Sequence, residues 1–114
     1  MEIWHNPRCT KSRAAKQALD EAGVEYTERR YLDDPPTVAE LAQVLTLLGK
    51  EPWDITRLGE PLAKELGLAT LPRERGAWIE LLAANPILIE RPIIVADDHA
   101  TVARTPKSIT EALP

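Results

Sequence analysis

The sequence predicts a two-layer α/β domain on a mixed sheet, and three observations lead there. A short apolar pair, a helical pattern and a β-branched and aromatic stretch follow one another at the N-terminus, the order of a parallel βαβ unit. Near the C-terminus two apolar stretches flank Asp97-Asp98-His99, which reads as a hairpin loop, and a last helical pattern follows. Between these halves the chain is helical and proline-rich, with no linker, repeat or low-complexity segment dividing it. The expected order is β-α-β, a helical insertion over about 37–84, then β-β-α, within one domain of residues 1–114. A βαβ unit followed by a hairpin and a covering helix is the plan of the thioredoxin-like fold.

Each element has its own signal. Ile3-Trp4 forms a brief strand before the turn dipeptide Asn6-Pro7. From Thr10 to Ala22 good helix formers dominate, with Ala14, Ala15, Ala18, Leu19 and Ala22 at helical spacings and Gly23 as a C-cap. Val24 to Leu32 reads as the second strand, parallel to the first, and stops at Asp33-Asp34-Pro35-Pro36. Thr37 with Glu40 has capping-box spacing, and the helix it opens carries Leu41, Val44, Leu45 and Leu48 on one stripe before Gly49. A short helical pattern covers Pro61 to Leu68. A longer one covers Arg73 to Ala84, with Trp78, Leu81 and Leu82 inward, and Asn85-Pro86 closes it. Ile93 to Ala96 and Thr101 to Ala103 are the hairpin strands, and Pro106 opens a helix over Lys107 to Leu113.

Composition narrows the function. The chain has 114 residues, 44% hydrophobic and 28% charged, which suits a soluble globular protein. Its formal charge of −4 and the lack of a basic block remove the electrostatic footing for nucleic-acid or polybasic membrane binding. No apolar run reaches the roughly 18 residues of a membrane span, and the N-terminus lacks the basic and apolar regions of a signal peptide. The expectation is a cytoplasmic monomer that binds neither nucleic acid nor membrane.

There is one cysteine, Cys9, so an internal disulfide and a multi-thiolate metal site are both excluded. Redox chemistry would need its second sulfur from another molecule. Cys9 lies in His5-Asn6-Pro7-Arg8-Cys9-Thr10-Lys11-Ser12-Arg13, between the first strand and the first helix. A helix N-terminus favours an anion, and a cysteine held there titrates anywhere from about 3.5 to 7.5. Arg8, Lys11 and Arg13 add positive charge, while His5 and Ser12 can each donate a hydrogen bond to the sulfur. The competing reading is a buried, inert cysteine. The polar, cationic surroundings weigh against it.

That nine-residue segment resembles the active-site loop of the glutaredoxin-dependent arsenate reductase family of thioredoxin-fold proteins. Three further stretches resemble the family in the same order. They are Arg57 with Glu60-Pro61 and Lys64-Glu65-Leu66-Gly67-Leu68, then Asn85 through Ile93, then Val102-Ala103-Arg104-Thr105-Pro106. Thr10-Lys11 after the cysteine departs from the Gly-Thr or Gly-Ser of the best-known members and is similar to a sister branch.

The resemblance implies Cys9 as nucleophile, assisted by His5 and Ser12, and Arg57, Arg91 and Arg104 as holders of the oxyanion. It implies a cis peptide before Pro92, which would lie against the cysteine. It implies no metal and no bound cofactor, with glutathione or another small thiol as co-substrate and glutaredoxin as the partner that clears the mixed disulfide. Two alternatives remain at this level: a thiol-disulfide or glutathione-linked reductase that ignores arsenate, and an RNA-polymerase-binding regulator of the same fold. Regulators of that kind resemble this chain but carry Cys-x-x-Cys, where this sequence has Ser12.

Overall fold

The computed structural model describes all 114 residues. They fall into two compact units, Met1–Asp34 together with Arg91–Pro114, and Pro35–Glu90.

The first unit carries the sheet. Strand β1 (Glu2–Trp4) leads through helix α1 (Thr10–Glu21) to strand β2 (Thr27–Arg29); β3 (Ile93–Val95), β4 (Ala100–Val102) and α5 (Pro106–Ala112) come from the C-terminal segment. The strand order is β2-β1-β3-β4. β1 runs parallel to β2 and antiparallel to β3, and β3 pairs antiparallel with β4. The element order and mixed sheet expected from the sequence are those observed.

Ile3 stands opposite Ile94 in the β1–β3 register. Both belong to one buried cluster with Ala15 and Leu19 of α1, Ala103, and Ala112 of α5. Small residues at three of these six positions let the helices lie close against the sheet. On α1 the buried positions are Ser12, Ala15 and Leu19. Ala14 and Ala22, expected on the inner stripe, are exposed, because the stripe is set by 12, 15 and 19.

The second strand is much shorter than the Val24–Leu32 expected. Its flanks are engaged otherwise: Val24 N–H bonds back to Leu19 O at the end of α1, and the amides of Asp33 and Asp34 both bond to Arg30 O. β1 offers only three residues for pairing, so a longer ladder would lack a partner. At the hairpin the last strand starts at Ala100 instead of Thr101, and Ala103 N–H still reaches Pro92 O at 2.9 Å.

The second unit is helical. Thr37 and Glu40 form the reciprocal capping box at the start of α2 (Val38–Leu48), and Gly49 ends it in the left-handed region, φ 66°. Leu41, Val44 and Leu45 are buried there, while Leu48 is only half-buried. A short α3 (Pro61–Glu65) breaks at Gly67 and continues as a 3₁₀ turn, Leu68–Thr70. α4 (Arg75–Ala84) begins two residues later than its sequence pattern, because the Glu74 side chain caps it by accepting from the amides of Gly76 and Ala77. Ile79 takes the buried place expected for Leu81, beside Trp78 and Leu82. Trp78 meets Trp53 edge-on at 6.0 Å and donates from Nε1 to Pro72 O. An isolated bridge pairs Thr56 with Ile89 within this unit, which runs from Pro35 to Glu90. No helix is long and apolar enough to cross a membrane.

Leu19 is fully buried and Ala14 is exposed on the same helix. Leu19→Ala should lower unfolding free energy by about 2–5 kcal/mol, whereas Ala14→Ser should stay within about 1 kcal/mol. Denaturant titration of the two variants checks this; equal losses would contradict the placement of α1 on the sheet.

Candidate active site

The loop after β1 is tied at several points before α1 begins. His5 N–H donates to Arg29 O at 2.7 Å, closing the parallel ladder at its Trp4–Arg29 pair. Asn6 then makes three bonds. Its Oδ1 accepts from Arg8 N–H, its carbonyl accepts from Cys9 N–H, and its own amide donates to Ser12 Oγ. Arg13 reaches back over the turn and donates to Pro7 O and Thr10 Oγ1. Cys9 is thereby fixed as the N-cap of α1, with extended φ −98° and ψ 124°, half-buried and unbridged. The first turn of the helix carries no acidic residue, so nothing there neutralises its positive end.

Four influences decide the state of the thiol. Burial alone would push its pKa up; the Ser12 amide, the Arg91 guanidinium and the Lys11 amide all pull it down, and together they win. The sulfur caps no amide within hydrogen-bond limits, so the two N–H groups act on it mainly as aligned dipoles. The cations expected to act here were Arg8, Lys11 and Arg13. Among cations the largest pull comes from Arg91, acting both as N–H donor and as charge, with Lys11 contributing through its backbone. Ser12 differs from expectation in the same way. Its hydroxyl is wholly buried and holds Asn6, and it is the Ser12 amide that faces the thiol.

Sheet register explains why Arg91 is there. Trp4 pairs with Ile93, and Ile93 pairs with Val102. Extending both ladders one step puts His5, Pro92 and Ala103 side by side, at the end where α1 begins. Arg91 precedes Pro92 and Arg104 follows Ala103 along the chain, and both are half-buried. The Arg91–Pro92 peptide is cis. Arg91 Nε is buried without a hydrogen-bond partner. A guanidinium N–H left in that state is costly unless an acceptor arrives.

Two expected site residues are engaged elsewhere. The His5 ring is buried, with Nε2 3.8 Å from Glu28 Oε1 and Nδ1 without a hydrogen-bond partner; it makes no bond to Cys9. Burial lowers its pKa, and Lys16, Arg30 and Arg13 add to that against the opposing pull of Glu28. Arg57 belongs to the other unit, where its guanidinium pairs with Glu60 and bonds to Ile87 O. Glu60 three residues on satisfies it locally. Sequence reading also missed the ties made by Asn6 and Glu28; the Asn-Pro turn signalled the first, and nothing local signalled the second. No group of three His, Cys, Asp or Glu side chains is arranged to hold a metal.

A mixed β2-β1-β3-β4 sheet, with the single cysteine at the N-cap of its first helix and a cis proline entering β3, defines a thioredoxin-like fold. Comparison narrows this. The ArsC family model matches residues 4–112, and the chain belongs to that family. An arsenate reductase of Neisseria meningitidis serogroup B is 39% identical over 99% of this chain and 97% of its own length. A protein from the glnII region of Streptomyces viridochromogenes, described as uncharacterized, is 54% identical over 99% and 98%. The solved arsenate reductase from Vibrio cholerae superposes with a TM-score of 0.92 at 36% identity, covering 99% of this chain and 98% of that one.

The buried His5 gives a pH test. Its folded pKa lies below the ordinary 6.5, so the unfolded chain takes up the proton first as pH falls. Stability from the neutral ring is complete above about 6.5 and declines as pH drops below it. Unfolding free energy measured between pH 7.5 and about 5.5 should therefore fall, with a smaller slope in His5→Asn. Identical slopes in parent and variant would place His5 in solvent.

Proposed function

We propose that this protein is a thiol-dependent oxidoreductase that reduces arsenate to arsenite through a covalent adduct on Cys9. The observation that carries the reading is the meeting of Cys9 with Arg91 at the open N-terminus of α1, where Arg91 Nε is buried without a partner. A lowered thiol pKa supplies the nucleophile, and the arginine with the helix amides supplies donors for an oxyanion beside it. In this reading Arg104, which follows Ala103 beyond the end of β4, adds a second fork for the oxyanion. The arsenate reductases among the relatives support the choice of oxyanion.

The chemistry runs in balanced steps. The Cys9 thiolate attacks arsenic(V), an S–As bond forms, and one arsenate oxygen leaves as water after protonation. With no second cysteine, the chain needs an external thiolate, which we take to be glutathione. It attacks Cys9 Sγ and forms an S–S bond. The S–As bond breaks with its electron pair kept by arsenic, which departs as arsenite. Glutaredoxin thiolate then attacks the glutathione sulfur of the mixed disulfide and releases Cys9 as thiolate, ready for another cycle. Thiol supply of this kind suits a cytoplasmic setting.

Coupled turnover with purified protein, glutathione and glutaredoxin tests this. Cys9→Ser should abolish arsenate reduction while keeping cooperative unfolding. Arg91→Lys keeps the charge but loses the planar fork, so kcat/KM for arsenate should drop about 10- to 150-fold, and Arg104→Lys should act in the same direction. Parental rates in both lysine variants would favour a thiol-disulfide reductase that uses the cysteine without the oxyanion.

A further inference from the structure

One edge of the sheet is β2, far in chemistry from the cysteine loop, and its backbone is half used. Thr27 N–H donates to Met1 O and Arg29 O accepts from His5 N–H, so both residues turn their backbone groups to β1. Alternation along the strand turns the amides and carbonyls of Tyr26 and Glu28 the other way, off the sheet. The open stretch ends on both sides. Val24 N–H is taken by Leu19 O, and Arg30 O already accepts the amides of Asp33 and Asp34. Thr27 and Glu28 are exposed, and no proline guards residues 24–30. An edge of this kind is a template for another strand. Its helical side is open too, because α1 packs on Ile3 and Ile94 of β1 and β3. There a cleft of about 890 Å³ is lined by Asp20, Val24 and Tyr26. Tyr26 Oη donates to Asp20, and Glu28 pairs with Lys16, so the even-numbered side chains of the strand stand on the α1 face.

Two such edges fit each other antiparallel in one register. Residues with both backbone groups outward face each other as hydrogen-bonded pairs. When each Thr27 faces the other copy's Thr27, each Tyr26 faces a Glu28, and every outward group of the two residues is paired. Centring on Glu28 would oppose two like charges and bring Tyr26 to Arg30, whose carbonyl is occupied. Centring on Tyr26 would need Val24, whose amide is occupied. The Thr27 register also sets Glu25 opposite Arg29, and brings Arg30 of the second copy opposite Val24, beside Asp20 in the cleft. From this complementarity we infer that β2 is a contact between two copies of this chain, which joins their four-stranded sheets across a twofold axis at Thr27. The contact is short, so the dimer forms with concentration and differs from the monomer expected from the sequence.

Sedimentation equilibrium of the full chain from about 10 μM to about 1 mM should show the mass rise from one copy toward two. Over the same range the amides of Tyr26 and Glu28 should exchange with solvent several-fold more slowly, while those of Val24 and Thr27, bonded within one copy, keep their rates. Thr27→Lys sets like charges face to face and should raise the dissociation constant about fivefold or more. Cross-linking reads the register. In a Cys9→Ser background no other thiol is present. Thr27→Cys then places two thiols on a non-hydrogen-bonded pair with Cα atoms about 4.5 Å apart, within disulfide reach, and air oxidation should give covalent dimers. Glu25→Cys, about 14 Å from its twin in this register, should not. A mass of one copy at every concentration would overturn the inference. So would dimers that Thr27→Lys leaves unchanged, exchange at Tyr26 and Glu28 that ignores concentration, or equal cross-linking of the two cysteine variants.

Discussion

Everything at the candidate site depends on one arrangement: a thiol at the start of a helix whose first turn has no acid, with an arginine from the far end of the chain beside it. Burial opposes ionisation of Cys9, and the amides of Ser12 and Lys11 share with Arg91 the work of reversing that. The sheet exists in the form it does to make this meeting possible. β3 runs antiparallel to β1, so its entry point, the Arg91–Pro92 peptide, lies where β1 gives way to the cysteine loop. The Asn6 ties and the Arg13 clamp then leave that loop little freedom, so the thiol is held in place before any substrate arrives.

Much of the fold was legible because its signals are local. The capping box at Thr37 and Glu40, the left-handed Gly49 and the hairpin loop at residues 97–99 each act within a few residues, and each appears where the pattern put it. Strand length was not legible. Val24 to Leu32 has the residues of a strand, but pairing is limited by the three residues β1 offers, a property of another segment. Which face α1 buries was read only in part. The alanines at 14 and 15 look alike in sequence, and the choice between them follows from where Ile3 and Ile94 put the sheet surface.

The site was legible in a different way. Cys9 announced itself through its neighbours, and family resemblance pointed to Arg91 and Arg104. Charge near in sequence proved a poor guide to charge near in space. Arg8, Lys11 and Arg13 surround the cysteine along the chain, yet the guanidinium with the largest pull on the thiol comes from residue 91. His5 turns to Glu28, and Arg57 is satisfied by Glu60 in its own unit. Such pairings need the partner's position, which periodicity and spacing do not contain.

The coupling between Cys9 and Arg91 is open to one direct measurement, the thiolate absorbance of Cys9 against pH in the parent protein and in Arg91→Ala. The parent midpoint is expected below the roughly 8.5 of a free cysteine, and the variant midpoint above the parent's. A parent midpoint at or above about 8.5, or one that Arg91→Ala leaves where it was, would contradict the arrangement on which the proposed chemistry stands.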